Sequence, residues 1–194
     1  MKLDDLVPRP EHATHQSRVI AAPASVVWDE LQGLGATSLP VTMVLAGFRF
    51  LPSLLTARGR RRVIGGTFVE LVPMPLLSSE PAEAMVFGGL LQPWRLTGGQ
   101  KPPVLAAAEL RAWAQPGWAK AAMEFRLTEG ADGTTLRTET RVATTDPRSR
   151  RLFARYWIFV RAGSSIIRWE VLAAVARRAE ARARVAGHWS GNGG

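Results

Sequence analysis

Residues 118–144 read WAKAAMEFRLTEGADGTTLRTETRVAT, and this stretch decides the fold. Apolar residues alternate with charged ones in MEFRL (residues 123–127), and apolar residues or threonines alternate with charged ones in LRTETRV (136–142). A period of two residues is typical of a β-strand with one buried face. Asp132-Gly133 lies between the two runs, and this dipeptide favours a two-residue hairpin turn. The stretch therefore predicts an antiparallel β-hairpin.

The charged residues of the hairpin indicate how its two strands align. With the Asp-Gly dipeptide at the tip, Arg126 faces Glu139 and Glu124 faces Arg141, so opposite charges meet on the outer face. A register shifted by two residues would place Glu124 opposite Glu139 and Arg126 opposite Arg137, which are like-charged pairs. We therefore predict the first register, in which Glu139 and Arg141 are structural partners rather than an acid and a base. The predicted inner face carries Met123, Phe125, Leu127, Thr138, Thr140 and Val142.

The sequence after the hairpin predicts one long helix over residues 147–182. Asp146 can cap its first turn, and Pro147 suits the first helical position because its missing N–H would be unpaired there. The small residues Gly163-Ser164-Ser165 predict a kink or break within it. An apolar stripe at spacings of three to four residues comprises Leu152, Tyr156, Phe159 or Val160, Ile167, Val171 and Val175.

The sequence upstream of the hairpin mixes helical and strand signals. His15–Ala21 predicts a first strand with His15, Ser17 and Val19 on its inner side, and Pro23 then suits the start of a helix. The further predictions are an irregular helical piece at Pro40–Leu55, a basic loop at Thr56–Arg62, strands at Thr67–Val72 and Ala84–Leu91, a short strand at Trp94–Leu96, and an ambiguous segment at Val104–Trp113.

The composition fits one globular domain. The chain has 194 residues, 46% of them hydrophobic, and no cysteine, which excludes disulfides and thiolate metal sites. Its charged start lacks the pattern of a signal peptide, and the most apolar stretch, residues 39–55, falls short of the roughly 20 apolar residues that a membrane span needs. We therefore expect a cytoplasmic protein with one domain over residues 1–187 and a flexible tail over 188–194.

The formal net charge of +9 is concentrated near the C-terminus. Residues 146–185 contain ten arginines and only three acids, Asp146, Glu170 and Glu180. A basic helix can bind nucleic acid, an anionic membrane or an acidic partner, although a solvated outer face is the simpler interpretation. We expect no nucleic-acid partner, whereas peripheral contact with a membrane and the oligomeric state stay open.

The order of the elements predicts an α+β helix-grip fold, in which a curved antiparallel sheet wraps around the long C-terminal helix. One face of the sheet is apolar, and this helix is the only large apolar partner left for it, while the other face is expected to be solvated. Gly88, Gly89, Ala121 and Ala122 would help to shape a space between sheet and helix. We therefore expect a closed or nearly closed cavity between the hairpin and the helix.

Four stretches together carry a family resemblance. They are RVIAAPASVVWDEL (residues 18–31), PGWAKAAMEFRL (116–127), TETRV (138–142) and LFARYWIFVRAGSSIIRWEVLAAVARRAE (152–180). With them the chain resembles the polyketide cyclase/dehydrase and lipid-transport superfamily, also called START-like or SRPBCC, and is similar to an uncharacterised bacterial branch of it. The resemblance implies the helix-grip fold over nearly the whole chain. It implies little about chemistry, because members bind lipids, sterols, hormones and polyketides.

Aromatic and polar residues near the expected cavity are candidates for ligand contact. The histidines lack a metal-binding spacing, and neither a phosphate loop nor a GxSxG nucleophile motif occurs, so we predict no catalytic residue, no metal and no cofactor. His15 is expected to be buried and hydrogen-bonded, and Arg95, if it turned inward, could meet a carboxylate or a polar head group. The candidate ligand-binding residues are Trp94, Arg95, Trp118, Met123, Phe125, Thr138, Thr140 and Tyr156.

These observations leave three classes of function. The leading hypothesis is a protein that binds, and could carry, an apolar or amphipathic small molecule between sheet and helix. The alternatives are a polyketide cyclase/dehydrase-like enzyme, in which the pocket orients a reactive chain, and a basic surface that binds anionic lipid or nucleic acid. An enzyme should present an inward-facing titratable group with a shifted pKa, whereas a surface binder should lose affinity steeply as salt is added.

Overall fold

A computed structural model describes residues 1–42, 44, 68–72, 74–95 and 100–190 of the chain. Its elements, in chain order, are α1 (Leu3–Leu6), β1 (His12–Ile20), α2 (Ala24–Gln32), a short 3-10 helix (Ala36–Ser38), α3 (Phe68–Leu71), β2 (Leu76–Glu80), β3 (Ala84–Leu91), α4 (Ala107–Ala112), β4 (Ala119–Gly130), β5 (Gly133–Thr144) and α5 (Pro147–Ser190). Residues 40–42 and 44 are also helical. The rest of the predicted helical piece at 40–55, and the basic loop predicted at 56–62, lie outside the described residues.

The five strands form one antiparallel sheet with the order β1-β5-β4-β3-β2. The sheet is curved and open, and α5 packs against its concave side. The predicted α+β helix-grip fold is therefore confirmed.

The C-terminal helix is longer than predicted and has no break. It runs from Pro147 to Ser190, beyond the predicted end at residue 182, and it continues through Gly163, so of the predicted kink or break there is no break, while the kink stays a prediction. A glycine inside a helix costs only about 1 kcal/mol, which burial of one helix face readily offsets. At about 1.5 Å per residue the helix is roughly 65 Å long, so it extends past the sheet.

The register of the β4–β5 hairpin differs by two residues from the prediction. Glu124 lies opposite Glu139 and Arg126 opposite Arg137, and the last pair is Gly130 with Gly133. The turn therefore consists of residues 131–132, and Gly133 has a φ of +117°, which glycine adopts without strain.

Ion pairs along each strand make the like-charged cross-strand neighbours tolerable. Glu124 bonds Arg126 at 2.6 Å, and Glu139 bonds Arg137 at 2.8 Å and Arg141 at 2.6 Å. Burial opposes ionisation of Glu139, but the hydrogen bonds and positive charges of Arg141 and Arg137 leave its pKa below the usual value. The pairs predicted across the hairpin are therefore wrong, while Glu139 and Arg141 still act as structural partners.

On β1 the even-numbered residues lie on the concave face, not the odd-numbered ones that the sequence predicted. His12, Thr14 and Gln16 of β1 pair with Val142, Thr140 and Thr138, which lie on the concave face of β5, so they share that face. His15 and Val19 are exposed instead, and the predicted inner side of this strand is wrong. The strand is polar on both faces, so its alternation gave no reliable signal.

Two segments predicted as strands have another structure. In the predicted strand Thr67–Val72, Phe68–Leu71 form α3 and Val72 lies in a bend. Trp94 and Arg95 lie in and after a turn rather than in a strand. The ambiguous Val104–Trp113 contains α4, whereas Ala84–Leu91 forms β3 as predicted.

The convex face of the sheet is covered as well, so the expected solvated face is only partly correct. A second apolar cluster joins the short helices α1 and α4 to this face through Leu3, Leu6, Val7, Val86, Leu90, Leu110, Trp118 and Ala122. β3 is buried along nearly all its length, which fits its continuous apolar sequence.

The small residues expected to shape the cavity divide between the two faces. Ala121 belongs to the concave core, and a Cβ on Gly89 would lie 3.3 Å from Pro75 Cδ. Ala122 belongs to the convex cluster, and a Cβ on Gly88 would come within 2.9 Å of Leu110.

Candidate functional site

An aromatic group lies between the first turns of α5 and the concave face of the sheet. Its centre is Phe153, which is 3% exposed. The ring centres of His12, Trp94, Tyr156 and Trp157 lie 5.2, 6.4, 5.9 and 5.8 Å from that of Phe153. Trp94 and Tyr156, both predicted contact residues, therefore meet around one ring.

Helical spacing places this aromatic group. Phe153, Tyr156 and Trp157 are three and four residues apart, so they occupy one face of α5. His12 enters from β1, and its ring centre is 5.3 Å from that of Trp157. Burial lowers the pKa of His12, while the charge of Glu11 opposes this shift.

The floor of the site next to the aromatic group is only half buried. Met123 of β4 and Thr140 of β5 are direct cross-strand neighbours on the concave face, and both retain partial exposure. Thr14 of β1 lies on the other side of Thr140. Among the described residues, the floor at this end is thus partly accessible to solvent.

The next pair along the sheet lies in the core. Phe125 is 1% exposed and meets Phe87 edge-on at 6.5 Å between ring centres. Its neighbour Thr138 is fully buried, and its hydroxyl has no hydrogen-bond partner among the described residues.

The two other predicted contact residues lie elsewhere. Trp118 packs in the convex cluster, on the far side of the sheet. Arg95 is exposed, and its backbone N–H donates to Gln92 O at 3.0 Å. Neither residue adjoins the aromatic group through a described contact.

A polar group follows the aromatic group along α5. Arg168 is 6% exposed and donates to the hydroxyls of Ser164 at 2.9 Å and Ser165 at 3.2 Å. Gln16 Nε2 donates to the carbonyl of Ser165 at 3.4 Å. Gln16 is also the cross-strand neighbour of Thr138, so β1, β5 and α5 all contribute.

Several polar atoms of this group lack hydrogen bonds. Across the part of the chain that the structure describes, Thr14 Oγ1, Gln16 Oε1, Thr138 Oγ1 and Arg168 Nε are buried without a partner. Buried polar atoms are satisfied in the great majority of cases, so these four, on neighbouring parts of β1, β5 and α5, need a reason.

A shallow groove adjoins the polar group. It has a volume of about 170 Å³, lies between β1 and α5, and is lined by Gln16, Ser17, Arg18, Trp169 and Leu172. It is open to solvent and smaller than the roughly 300–1,000 Å³ of most small-molecule sites. The closed cavity expected from the sequence stays a prediction.

Sequence reasoning missed most of the polar group. The arginines of the C-terminal helix were all interpreted as an outer face, yet Arg168 directly follows Ile167 and precedes Val171 by three residues on the predicted apolar stripe. That spacing was the available signal. Thr14 and Gln16 had no comparable signal, because β1 carries polar residues on both faces.

No family model and no curated protein matches the chain. Solved structures do match. A protein from Mesorhizobium loti is 13% identical, with 86% of this chain and 98% of that chain covered and a TM-score of 0.40. A protein from Chromobacterium violaceum is 13% identical, with 87% and 97% covered and a TM-score of 0.39.

A third similar structure is a two-domain aromatase/cyclase of the steffimycin biosynthetic pathway. It is 8% identical, with 88% of this chain and 51% of that chain covered and a TM-score of 0.41.

The arrangement is suited to holding a molecule that is apolar at one end. The aromatic group offers ring faces and edges, while the polar group offers a guanidinium and hydroxyls. Within the described ranges, no three His, Asp or Glu residues are grouped as metal ligands would be, and no helix has an apolar stretch long enough to cross a bilayer.

Proposed function

We propose that this protein binds an apolar or amphipathic small molecule on the concave side of the sheet, beside α5. The observation that carries the proposal is the aromatic group around Phe153, whose members Trp94, Tyr156 and Trp157 remain partly exposed although they adjoin the core. Aromatic side chains placed this way supply much apolar contact area to a ligand. A carrier needs such a contact area and no catalytic group.

Nile red, a neutral apolar dye, tests the proposal. Thr140→Arg puts a cation on the concave face next to Met123, and Thr135→Arg makes the same change on the convex face of the same strand. We expect wild-type protein to bind the dye with increased fluorescence, Thr140→Arg to weaken binding at least about tenfold, and Thr135→Arg to change it less than about twofold. Absence of dye binding by the wild type, or equal loss in both variants, would contradict the proposal.

The salt dependence of dye binding separates this proposal from a basic surface that binds anions. Several arginines of α5 are already paired with acids, as Arg150 is with Glu11 at 2.6 Å and Arg178 with Glu30 at 2.6 Å. We expect the affinity for Nile red to stay constant between about 50 and 500 mM NaCl, and binding to phosphatidylserine vesicles to be negligible. Vesicle binding that falls with salt would instead favour the surface role.

An enzyme of the cyclase/dehydrase type is the second candidate. The observation that favours it is His12, an inward-facing titratable group whose pKa is lowered by burial and which contacts the rings of Phe153 and Trp157. A neutral imidazole can accept a proton during ring closure. Incubation with a short linear triketone, followed by chromatography, would reveal cyclised product that His12→Gln no longer forms.

A further inference from the structure

Arg168 is a buried cation with neutral partners only. Its guanidinium bonds the hydroxyls of Ser164 and Ser165, one turn earlier on the same helix, and Nε is unbonded. No ion pair reaches it among the residues that the structure describes, whose salt bridges all involve other groups. Burial lowers the pKa of Arg168, as expected for a cation without a counter-charge.

The acid next to Arg168 on the helix is engaged elsewhere. Glu170 is 7% exposed and accepts hydrogen bonds from the backbone N–H groups of Val41 at 2.8 Å and Thr42 at 2.6 Å, and from the Thr42 hydroxyl. It therefore holds the first of the helical residues 40–42 and 44. The interior Arg168 thus lacks the acidic partner that the surface residues Arg150 and Arg178 have, although an unpaired charge is far more unfavourable in the interior.

The other unsatisfied atoms lie around the same place. Thr138 and Thr14 offer hydroxyls from adjacent strands, and Gln16, opposite Thr138, is bonded to Ser165, which also binds Arg168. Gln16 presents its carbonyl oxygen or, after a half-turn of the amide, its NH₂ group. Donors from β1, β5 and α5 therefore lie near Ser165, and no carboxylate of the described residues is bonded to any of them.

We propose that Arg168 binds the carboxylate of an amphipathic organic acid whose apolar part lies against the aromatic group. This inference rests on the proposed function and names the class of its ligand. A planar carboxylate accepts two parallel N–H bonds from a guanidinium, and the remaining donors are neutral hydroxyls. One arginine matches one negative charge, which favours a carboxylate over a phosphate dianion. The groove lined by Gln16 and Arg18 opens to solvent beside this polar group.

Decanoate and decanol test the inference, because they share a chain and differ in the head group. Each is titrated against protein loaded with Nile red. We expect the wild type to bind decanoate about 10- to 100-fold more tightly than decanol, since a charge-assisted hydrogen bond has that strength. Arg168→Met should abolish this preference and leave decanol affinity within about threefold of wild type.

Arg161→Met is the matched control, because Arg161 is exposed on the same helix. It should keep the wild-type preference for decanoate. Arg168→Lys keeps the charge without the planar fork, so it should retain an intermediate preference, and it is the variant to titrate if Arg168→Met does not fold.

Unfolding of the ligand-free protein provides a readout that distinguishes a binding role from a structural one. Removing an unpaired buried charge should leave Arg168→Met at least as stable as wild type in urea. A marked loss of stability, or an unchanged decanoate preference in Arg168→Met and Arg168→Lys, would overturn the inference. If Nile red and decanol still bind in that case, the proposed function stands; if neither binds to the wild type, the proposed function fails as well.

Discussion

Single hydroxyl groups decide how the concave side of the sheet is built. Thr134 and Thr138 are four residues apart on the same face of β5, and both are fully buried. Thr134 donates to the carbonyl of Ala22 at 2.7 Å, which fixes the chain between β1 and α2. Thr138 has no such partner among the described residues. One hydroxyl is therefore a structural hydrogen-bond donor, and the other is buried without a partner among the described residues.

Replacing each of these threonines with valine should change stability in opposite directions. Thr138→Val removes an unsatisfied hydroxyl and should raise the free energy of unfolding by about 1 kcal/mol. Thr134→Val leaves the carbonyl of Ala22 unpaired and should lower it by about 1–2 kcal/mol. Urea denaturation of both variants measures the difference. A loss in Thr138→Val as large as that in Thr134→Val would show that its hydroxyl is bonded.

The residues of the candidate site could be predicted only where the pattern was strong. Alternation in β4 and β5 placed Phe125, Thr138 and Thr140 on the correct face, because a register error of two residues preserves the face. Arg168 was missed because charge was given more weight than its position on the apolar stripe. Trp118 was proposed as a ligand contact because it is aromatic, and the sequence gives no signal that it packs on the convex face.

At the scale of elements, the hairpin turn is set by steric contact rather than by charge. The charge argument favoured the other register, yet the like-charged neighbours find partners along their own strands. The turn needs a residue with positive φ at Gly133, and a Cβ there would lie 2.2 Å from Ile20 O. The close approach of β1 thus excludes any side chain at this position.

Gly133→Ala should therefore be strongly destabilising. The unfavourable φ and the clash with Ile20 O together should lower the free energy of unfolding by about 3 kcal/mol or more. Gly130→Ala is the control, because a Cβ there would meet its nearest neighbour, Gly133 O, at an ordinary 3.7 Å. It should change stability by less than about 1 kcal/mol. Similar losses in thermal or urea unfolding of the two variants would contradict the observed turn.

The start of α5 is fixed by Asp146. Its carboxylate accepts hydrogen bonds from the N–H of Arg148 at 2.9 Å, the N–H and hydroxyl of Ser149 at 3.0 and 2.6 Å, and the N–H of Gly117 at 2.6 Å. The side-chain bond from Ser149, followed by the backbone bond from Gly117, holds the pKa of Asp146 well below its usual value. One carboxylate thus caps the helix and ties it to the start of β4, as the Asp-Pro signal predicted for the cap.

Asp146→Ala should lower the free energy of unfolding by about 2 kcal/mol at neutral pH, the upper range for loss of a helix cap. The pKa of Asp146 is lower in the folded state, so its contribution is complete above the unfolded value near 3.8 and is lost as the pH falls through the folded value. Urea denaturation at pH 7 and in stronger acid should show the deficit shrinking as the pH falls.

Asp146→Asn separates hydrogen bonding from charge, because the amide oxygen can still cap the helix. Its deficit at neutral pH should be smaller than that of Asp146→Ala. A deficit of Asp146→Ala that does not depend on pH would mean that the carboxylate is not the group that titrates.

For the whole molecule, the helix-grip architecture could be predicted from the order of the elements. The covering of the convex face of the sheet by short helices could not. One long amphipathic helix after a hairpin was enough to predict a sheet that packs on it. The short helices α1 and α4 were not predicted as a layer, because segments of four and six residues carry almost no periodicity. In this chain the long hairpin and α5 determine the fold class, and the short helices α1 and α4 determine that the convex face of the sheet is covered.

The position of β1 at one end of the strand order has a consequence for association between molecules. A terminal strand presents backbone N–H and C=O groups that could template pairing with a foreign strand. The polar sequence of this strand, with His15, Ser17 and Arg18 exposed to water, disfavours such stacking. The polar sequence that obscured the alternation pattern of β1 would therefore also disfavour aggregation along this edge of the sheet.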